Sequence, residues 1–398
     1  MKKQFYLSLW MCIFALLAAC VDDKLEPETP QNGGRTVLVY VAADNSLSSF
    51  ASADLAEMKT GMAKVKDDAG VHLLVYIDNG QSARLLELKN VGGTVTETEV
   101  RNYGQRNSVG VSETKEVFAE VFQNPQYRAD SYGLVYWSHG EGWLPYPLRV
   151  GTRWIGQDKG DGTDHRMNIS EFAEILSTAP HFDFILFDAC FMQSIEAAYE
   201  LRSYTDYLIG SPTEIPGPGA PYDEVVPAMF TADDAAVSMA TAYYSPYAAR
   251  YNPNVDVSNW NWTGGVSVSV LRTDRLEQLA QATKRAMTES VDNAWLRSGV
   301  VFDYDKRRSS SSSRVGYYDF AGMMEQVATD AAYDEWKKAF DDAVVYWTTT
   351  AENYSSYVGR FSMEGATGVS CYIPSAQNTP TDNAYRSTSW YESVGFRW

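Results

Sequence analysis

The sequence predicts an α/β fold: a mostly parallel sheet flanked by helices, continued by a C-terminal α/β extension. Three observations point there. Short unbroken apolar runs, such as Phe184-Ile185-Leu186-Phe187 and Leu134-Val135-Tyr136-Trp137, read as strands buried on both faces. Segments of helical period separate these runs, the alternation that yields parallel pairs with right-handed crossovers. The composition, 45% hydrophobic and 13% aromatic over 398 residues, supplies a large core.

In chain order, Lys2 and Lys3 precede a mostly apolar run over residues 5–19. It is too short to span a bilayer comfortably and ends in small residues. Leu17-Ala18-Ala19-Cys20 matches the bacterial lipobox, in which Cys20 is lipidated and begins the mature chain; a plain membrane anchor is the alternative. Residues 1–19 thus read as a lipoprotein signal peptide. Residues 20–34, with Asp22, Asp23, Glu26, Glu28 and two prolines, read as an acidic, extended tether. The expected location is the outer membrane of a Gram-negative envelope, on its periplasmic or surface face. Residues 35–398 form the folded part, with a core over about 35–230 and the extension over about 231–398.

Residues 36–43 read as the first central strand, closed by Asp44-Asn45-Ser46 as turn and helix cap, with a helix to about residue 66. A second strand covers 71–78, and residues 84–100 form a hairpin around Gly92-Gly93. A helix over 112–122 leads to the third central strand, 133–137. A long polar connection, 143–168, precedes a helix over 169–179 and the strand ending at Asp188. Residues 207–210 are a further strand opening onto a Pro/Gly-rich loop to Tyr222. Residues 265–271 alternate like a half-buried strand, with a helix to about 287. Arg307, Arg308 and the serine run 309–313 read as an exposed loop. Residues 334–348 read as an amphipathic helix, and 368–373 as a late strand.

Charge and cysteine usage narrow the function. A net charge of −18 argues against a nucleic-acid partner and is compatible with cationic substrates. Beyond Cys20, only Cys190 and Cys371 lie in the folded part, so there is no disulfide framework. Cys371, in a strand-like run ended by Pro374, reads as a buried filler. Cys190 is different, because it sits where a buried strand hands over to a helix pattern carried by Met192, Ile195 and Tyr199. Free N–H donors and the helix dipole at such a place lower a thiol pKa. His139 follows another strand directly, in Ser138-His139-Gly140-Glu141-Gly142, on the same carboxyl edge of the sheet. A His about 50 residues upstream of a Cys is the order found in caspase-like peptidases. His72, His165 and His181 lack the glycine-flanked setting and read as structural or exposed.

Four segments carry a resemblance: YVAADNSL (residues 40–47), YWSHGEGW (136–143), FDACFMQ (187–193) and SPTEIPGPGAPY (211–222). Together they resemble the clostripain family of cysteine peptidases, relatives of caspases, gingipains and legumain, from about residue 36 to 222 and more weakly to the C-terminus. The resemblance implies a caspase-like sheet and endopeptidase cleavage after Arg, or less often Lys, by a Cys/His dyad without a third catalytic residue. It also implies self-cleavage between the two catalytic residues, and calcium dependence in several members.

On this reading Cys190 attacks the scissile carbonyl and His139 serves as general acid and base. The backbone N–H groups of Gly140 and Cys190 are the expected oxyanion donors. Asp188, two residues before the nucleophile, is expected to face a basic P1 side chain; its alternative role is to cap the helix or hold the strand end. Ser211, Thr213 and Glu214 are expected to line the same pocket, with Thr213 weakening its acidity relative to many relatives. Arg149, Arg153, Lys159 and Arg166 are candidate self-cleavage sites. The residues themselves require no cofactor. Asp158, Asp161 and Asp164 in DKGDGTD do not match an EF-hand loop, so Ca2+ enters only through the resemblance. The competing function is a non-catalytic surface lipoprotein that binds peptides or polymers on the same scaffold.

Overall fold

The structure is a computed structural model, and it describes residues 34–144, 154–287, 292–306, 314–375 and 379–395. The lipobox with Cys20, the tether, Arg149, Arg153 and the 307–313 run lie outside the described residues.

Nine strands form one sheet. They are β1 (Arg35–Ala42), β2 (Val71–Asp78), β3 (Ala83–Val91), β4 (Thr94–Gly104), β5 (Ser131–Trp137), β8 (Phe182–Asp188), β9 (Thr205–Gly210), β10 (Ser267–Arg272) and β12 (Val344–Thr349). The spatial order is β12-β10-β9-β8-β5-β1-β2-β3-β4. The five strands from β9 to β2 run parallel, and antiparallel pairs extend the sheet at both edges. Short hairpins stand outside it: β6 (Ile155–Asp158) with β7 (His165–Met167), and β13 (Glu352–Ser355) with β14 (Gly359–Ser362); β11 (Tyr318–Asp319) pairs with β15 (Ser370–Cys371).

Strand alternation builds two cores. Val37, Val39, Val41, Val75, Val135 and Leu186 face one side, where α1 (Ser48–Met62), α5 (Tyr222–Met229) and α6 (Ala235–Arg250) pack. Leu38, Tyr40, Tyr76, Tyr136, Ile185 and Phe187 face the other, covered by α2 (Val111–Phe122), α3 (Ile169–Leu176), α4 (Ile195–Leu201), α7 (Leu276–Ala286), α9 (Phe320–Val327), α10 (Asp330–Ala343), α11 (Pro380–Arg386) and α12 (Ser389–Val394). Each fully buried side chain of this kind contributes roughly 1.5–3 kcal/mol by leaving water, which fixes the central strands and their registers. The mostly parallel α/β sheet flanked by helices is therefore present. Residues beyond 231 supply β10 and β12 to the same sheet.

Two elements depart from the sequence expectation. The helix expected over 334–348 ends at Ala343, and Val344–Thr349 is the edge strand β12. β-branched and aromatic residues here prefer the pleated surface offered by β10. The polar connection 143–168 contains the β6–β7 hairpin, whose first strand is fully buried.

Candidate active site

The register of the central strands sets the geometry. β5 and β8 are neighbours, and Trp137 pairs with Asp188. His139 and Cys190 each lie two residues past those paired ends, so they leave the sheet at equal height on strands about 4.8 Å apart. The Ser138 amide extends the ladder by donating to the Asp188 carbonyl at 3.4 Å. Gly140 then passes so close to the cysteine loop that a Cβ there would lie 2.8 Å from Ala189 Cβ and 3.0 Å from the Cys190 carbonyl oxygen. Only glycine permits this approach. His139, Gly140 and Cys190 line one cavity of about 540 Å³, together with Asp188 and Glu214.

The cysteine loop differs from expectation. Cys190 is not at a helix N-terminus. A turn intervenes, in which Phe191 takes the left-handed φ of 60° and stacks on Tyr317 at 4.9 Å; α4 begins only at Ile195, capped by Ser194. The thiol therefore gains no helix dipole. Among the described residues it accepts one amide, that of Ile215, at 3.4 Å. Burial first, then the Glu214 carboxylate, push its pKa up to about 12, the opposite of the lowering expected from the sequence. His139 is pushed down to about 4, by burial first and then by the cations Lys159 and Arg166. At neutral pH the pair is thus a neutral thiol and a neutral imidazole. The imidazole Nε2 lies 2.8 Å from the Ser46 hydroxyl.

The expected oxyanion donors are the Gly140 and Cys190 amides. Gly140 bridges Ile155 as a non-hydrogen-bonded pair: the flanking bonds run from Glu141 N to the Trp154 carbonyl and from Gly156 N to the His139 carbonyl. Its own N–H consequently points away from β6. Neither it nor the Cys190 N–H has a hydrogen-bond partner among the described residues.

Asp188 lies on the cavity floor and is 1% exposed. Its Oδ2 accepts from the Ala220 amide at 2.9 Å and the Tyr222 hydroxyl at 2.9 Å, and its Oδ1 from the Tyr243 hydroxyl at 2.7 Å. Burial raises its pKa, although these three donors pull it down. Gly219, at φ +72°, passes over it: a Cβ there would sit 2.9 Å from Oδ2 and 3.0 Å from the Trp137 indole nitrogen. Glu214 stands at the rim, where Ser355 Oγ (2.7 Å), Ser356 N (3.0 Å) and Ser356 Oγ (2.9 Å) donate to it.

Ser211 and Thr213 do not line the cavity. Both are buried, and their carbonyls accept from Gln193 N at 3.1 Å and Phe191 N at 3.0 Å, which shapes the cysteine loop from behind. Sequence reasoning missed Ser46 as a neighbour of His139, Tyr222 and Tyr243 as holders of Asp188, and the β13–β14 connection that grips Glu214. The only signal available was that Ser46 and Tyr222 sit inside the YVAADNSL and SPTEIPGPGAPY segments.

The residues near DKGDGTD do not fit calcium. Asp158 accepts from the Ser108 and Gly160 amides, Asp161 pairs with His165 at 2.9 Å, and Asp164 pairs with Arg166 at 2.6 Å. Among the described residues no group of three or more His, Cys, Asp or Glu side chains assembles a metal site. Of the described self-cleavage candidates, Lys159 lines the cavity, whereas Arg166 is paired with Asp164 and lies over the Trp154 ring at 4.2 Å.

A thiol and an imidazole on adjacent parallel strand ends, over a cavity with a buried acidic floor, define the class: an α/β protein with a cysteine–histidine site. Comparison with known proteins agrees. The model of the clostripain family matches residues 39–395, and the chain belongs to that family. It is similar to a secreted C11 cysteine protease from Bacteroides thetaiotaomicron, solved with an irreversible peptide inhibitor: 45% identity, a TM-score of 0.83, covering 91% of this chain and 99% of that one. It is also similar to an inactive zymogen C11 protease from Parabacteroides distasonis: 30% identity, a TM-score of 0.76, covering 92% and 99%. Clostripain of Hathewaya histolytica is 26% identical over 220 residues, 48% of this chain and 41% of that protein, so the match spans well under half the length of that relative.

Proposed function

We propose that the protein is a cysteine endopeptidase that cleaves after basic residues, Arg before Lys. The observation that carries this is the Trp137–Asp188 register, with His139 and Cys190 two residues beyond it and the Asp188 carboxylate beneath them. A guanidinium or ammonium entering the cavity meets a buried carboxylate, where a charge-assisted bond is stronger than in water. Because the resting pair is neutral, the thiol proton passes to His139 as Sγ attacks the carbonyl carbon. The oxyanion forms against the Gly140 and Cys190 amides. The C–N bond then breaks as His139 protonates the leaving amine, and water, deprotonated by the same imidazole, releases the acid and restores the thiol.

The test is labelling with a P1-Arg acyloxymethyl ketone, alongside fluorogenic peptides ending in Arg, Lys or Asp. Labelling lost in Cys190→Ala and turnover ranked Arg above Lys above Asp are expected; labelling that persists in that variant sinks the assignment. We infer also that activation follows self-cleavage between His139 and Cys190, at Arg149, Arg153 or Lys159. Active enzyme that stays a single polypeptide on a denaturing gel would contradict this. The lipobox supports an outer-membrane lipoprotein anchored through Cys20, and loss of membrane fractionation in Cys20→Ser is the expected result.

A further inference from the structure

We propose that Ser46 is a positioning residue for His139: its hydroxyl holds Nε2 and thereby assigns Nδ1 to the thiol and the scissile amide. This rests on the peptidase reading of the same site, and it adds a third member to what the sequence presents as a dyad.

The carboxyl edge of the sheet presents its groups in strand order. Ser46 follows β1, His139 follows β5, Cys190 follows β8, and Glu214 follows β9, on four consecutive neighbours. The imidazole is thus flanked by the serine on one side and the thiol on the other. Ser46 Oγ lies 2.8 Å from Nε2, and no partner engages Nδ1 among the described residues.

The loop that carries Ser46 is fixed independently of that contact. Asn45 Nδ2 donates to the carbonyls of Ala42 (3.1 Å) and Gln157 (2.7 Å), and its Oδ1 accepts the Leu47 amide at 2.8 Å. The Asp44 carbonyl accepts the Lys159 amide at 2.8 Å. From the histidine side, Ser138 Oγ donates to the Ala42 carbonyl at 2.6 Å and accepts the Gln157 amide at 3.1 Å. The two loops and β6 are therefore one hydrogen-bonded unit, and the serine hydroxyl is presented to the ring by backbone geometry. A helix cap is not its role, since no side-chain cap bond is made at the start of α1.

The chemistry needs such a group. Lys159 and Arg166 oppose the imidazolium, and of the nearby acids only Asp164 favours it. A hydroxyl that accepts Nε2–H supports the tautomer with a basic Nδ1. It also strengthens that bond when the ring becomes cationic, because bonds from charged donors are roughly twice as strong.

The full-length active enzyme and its Ser46→Ala and Ser46→Thr variants are compared on a fluorogenic Arg peptide. Ser46→Ala is expected to lose ~10–100-fold in kcat with KM within about twofold, the size of effect that a misplaced catalytic group produces. The acid limb of its kcat/KM profile should move to lower pH, because the imidazolium loses an acceptor, and Ser46→Thr should recover most of the rate. Ser46 is surface-exposed, and equal melting temperatures will separate a kinetic from a folding defect. Wild-type kcat and an unmoved pH profile in Ser46→Ala overturn the inference while leaving the peptidase reading intact. An inert wild type whose Cys190 takes no P1-Arg label removes the peptidase reading instead, and the inference with it.

Discussion

Two carboxylates face the same cavity and are held in opposite ways. Asp188 is gripped by core groups: an amide at the entry to α5, a tyrosine on α5 and a tyrosine on α6. Glu214 is gripped by Ser355, the buried last residue of β13, and by Ser356 in the exposed turn that follows, both outside the main sheet. The first is held rigidly, since its donors are themselves packed in the core and cannot follow it elsewhere. The second ties the β13–β14 hairpin, with Tyr357 lining the cavity, to the loop after β9. Depth and the origin of the donors, more than residue type, separate the two carboxylates.

The strongest way to break this contrast is Asp188→Asn. It should cost ~100-fold or more in kcat/KM for Arg peptides and flatten the preference for Arg over neutral residues, because a site built around a buried polar contact discriminates steeply. A retained Arg preference would mean that the floor does not read P1. Glu214→Gln should act instead on the nucleophile. After burial, Glu214 is the leading cause of the raised thiol pKa, while Asp188 is a minor one. In the wild type, alkylation of Cys190 by iodoacetamide should keep rising with pH toward about 12, with no neutral plateau. Glu214→Gln should shift that curve to lower pH, by up to ~10-fold in rate at fixed pH, and more than Asp188→Asn does. The reverse ranking would undo the division of labour. Tyr243→Phe should be milder. It removes one of three donors to Asp188, costing about 1–3 kcal/mol by denaturant titration and raising KM for Arg peptides a few-fold. A KM change without any stability change would show that Tyr243 touches substrate rather than the floor.

How much of this was legible follows from the range of each interaction. Buried parallel strands announce themselves as unbroken apolar runs, so β1, β2, β5 and β8 could be read directly, and with them the placing of His139 and Cys190 at one sheet edge. Local period misled at Cys190: Met192, Ile195 and Tyr199 fit a helix, but Ser194 caps α4 and leaves four residues between the thiol and the first helical turn. It misled again past Ala343, where Val344, Val345, Tyr346 and Trp347 carried a strand signal that the preceding amphipathic pattern masked. The supports of the site were illegible for a different reason. Ser46 is 93 residues from His139, and Tyr243 is 55 residues from Asp188, so no local pattern records either pairing.

A third carboxylate sharpens the contrast from beneath the floor. Asp54, on α1, is 2% exposed and its Oδ2 has no hydrogen-bond partner. Burial first, then Asp188 and Glu57, raise its pKa to about 9, against a weaker pull from the Trp137 indole. It is therefore protonated at neutral pH and adds no negative charge beside Asp188. The sign of the stability effect follows. A carboxyl whose folded pKa exceeds its unfolded value of 3.8 lends stability fully below that value and loses it as pH climbs toward about 9, at no more than about 1.4 kcal/mol per pH unit. Asp54→Asn keeps the shape and removes the titration. Of all the variants it should disturb turnover least, and its advantage in unfolding free energy over the wild type should grow steadily between pH 5 and pH 8. Parallel stability curves for the two proteins across that range would mean that Asp54 is ionised in the fold, next to Asp188.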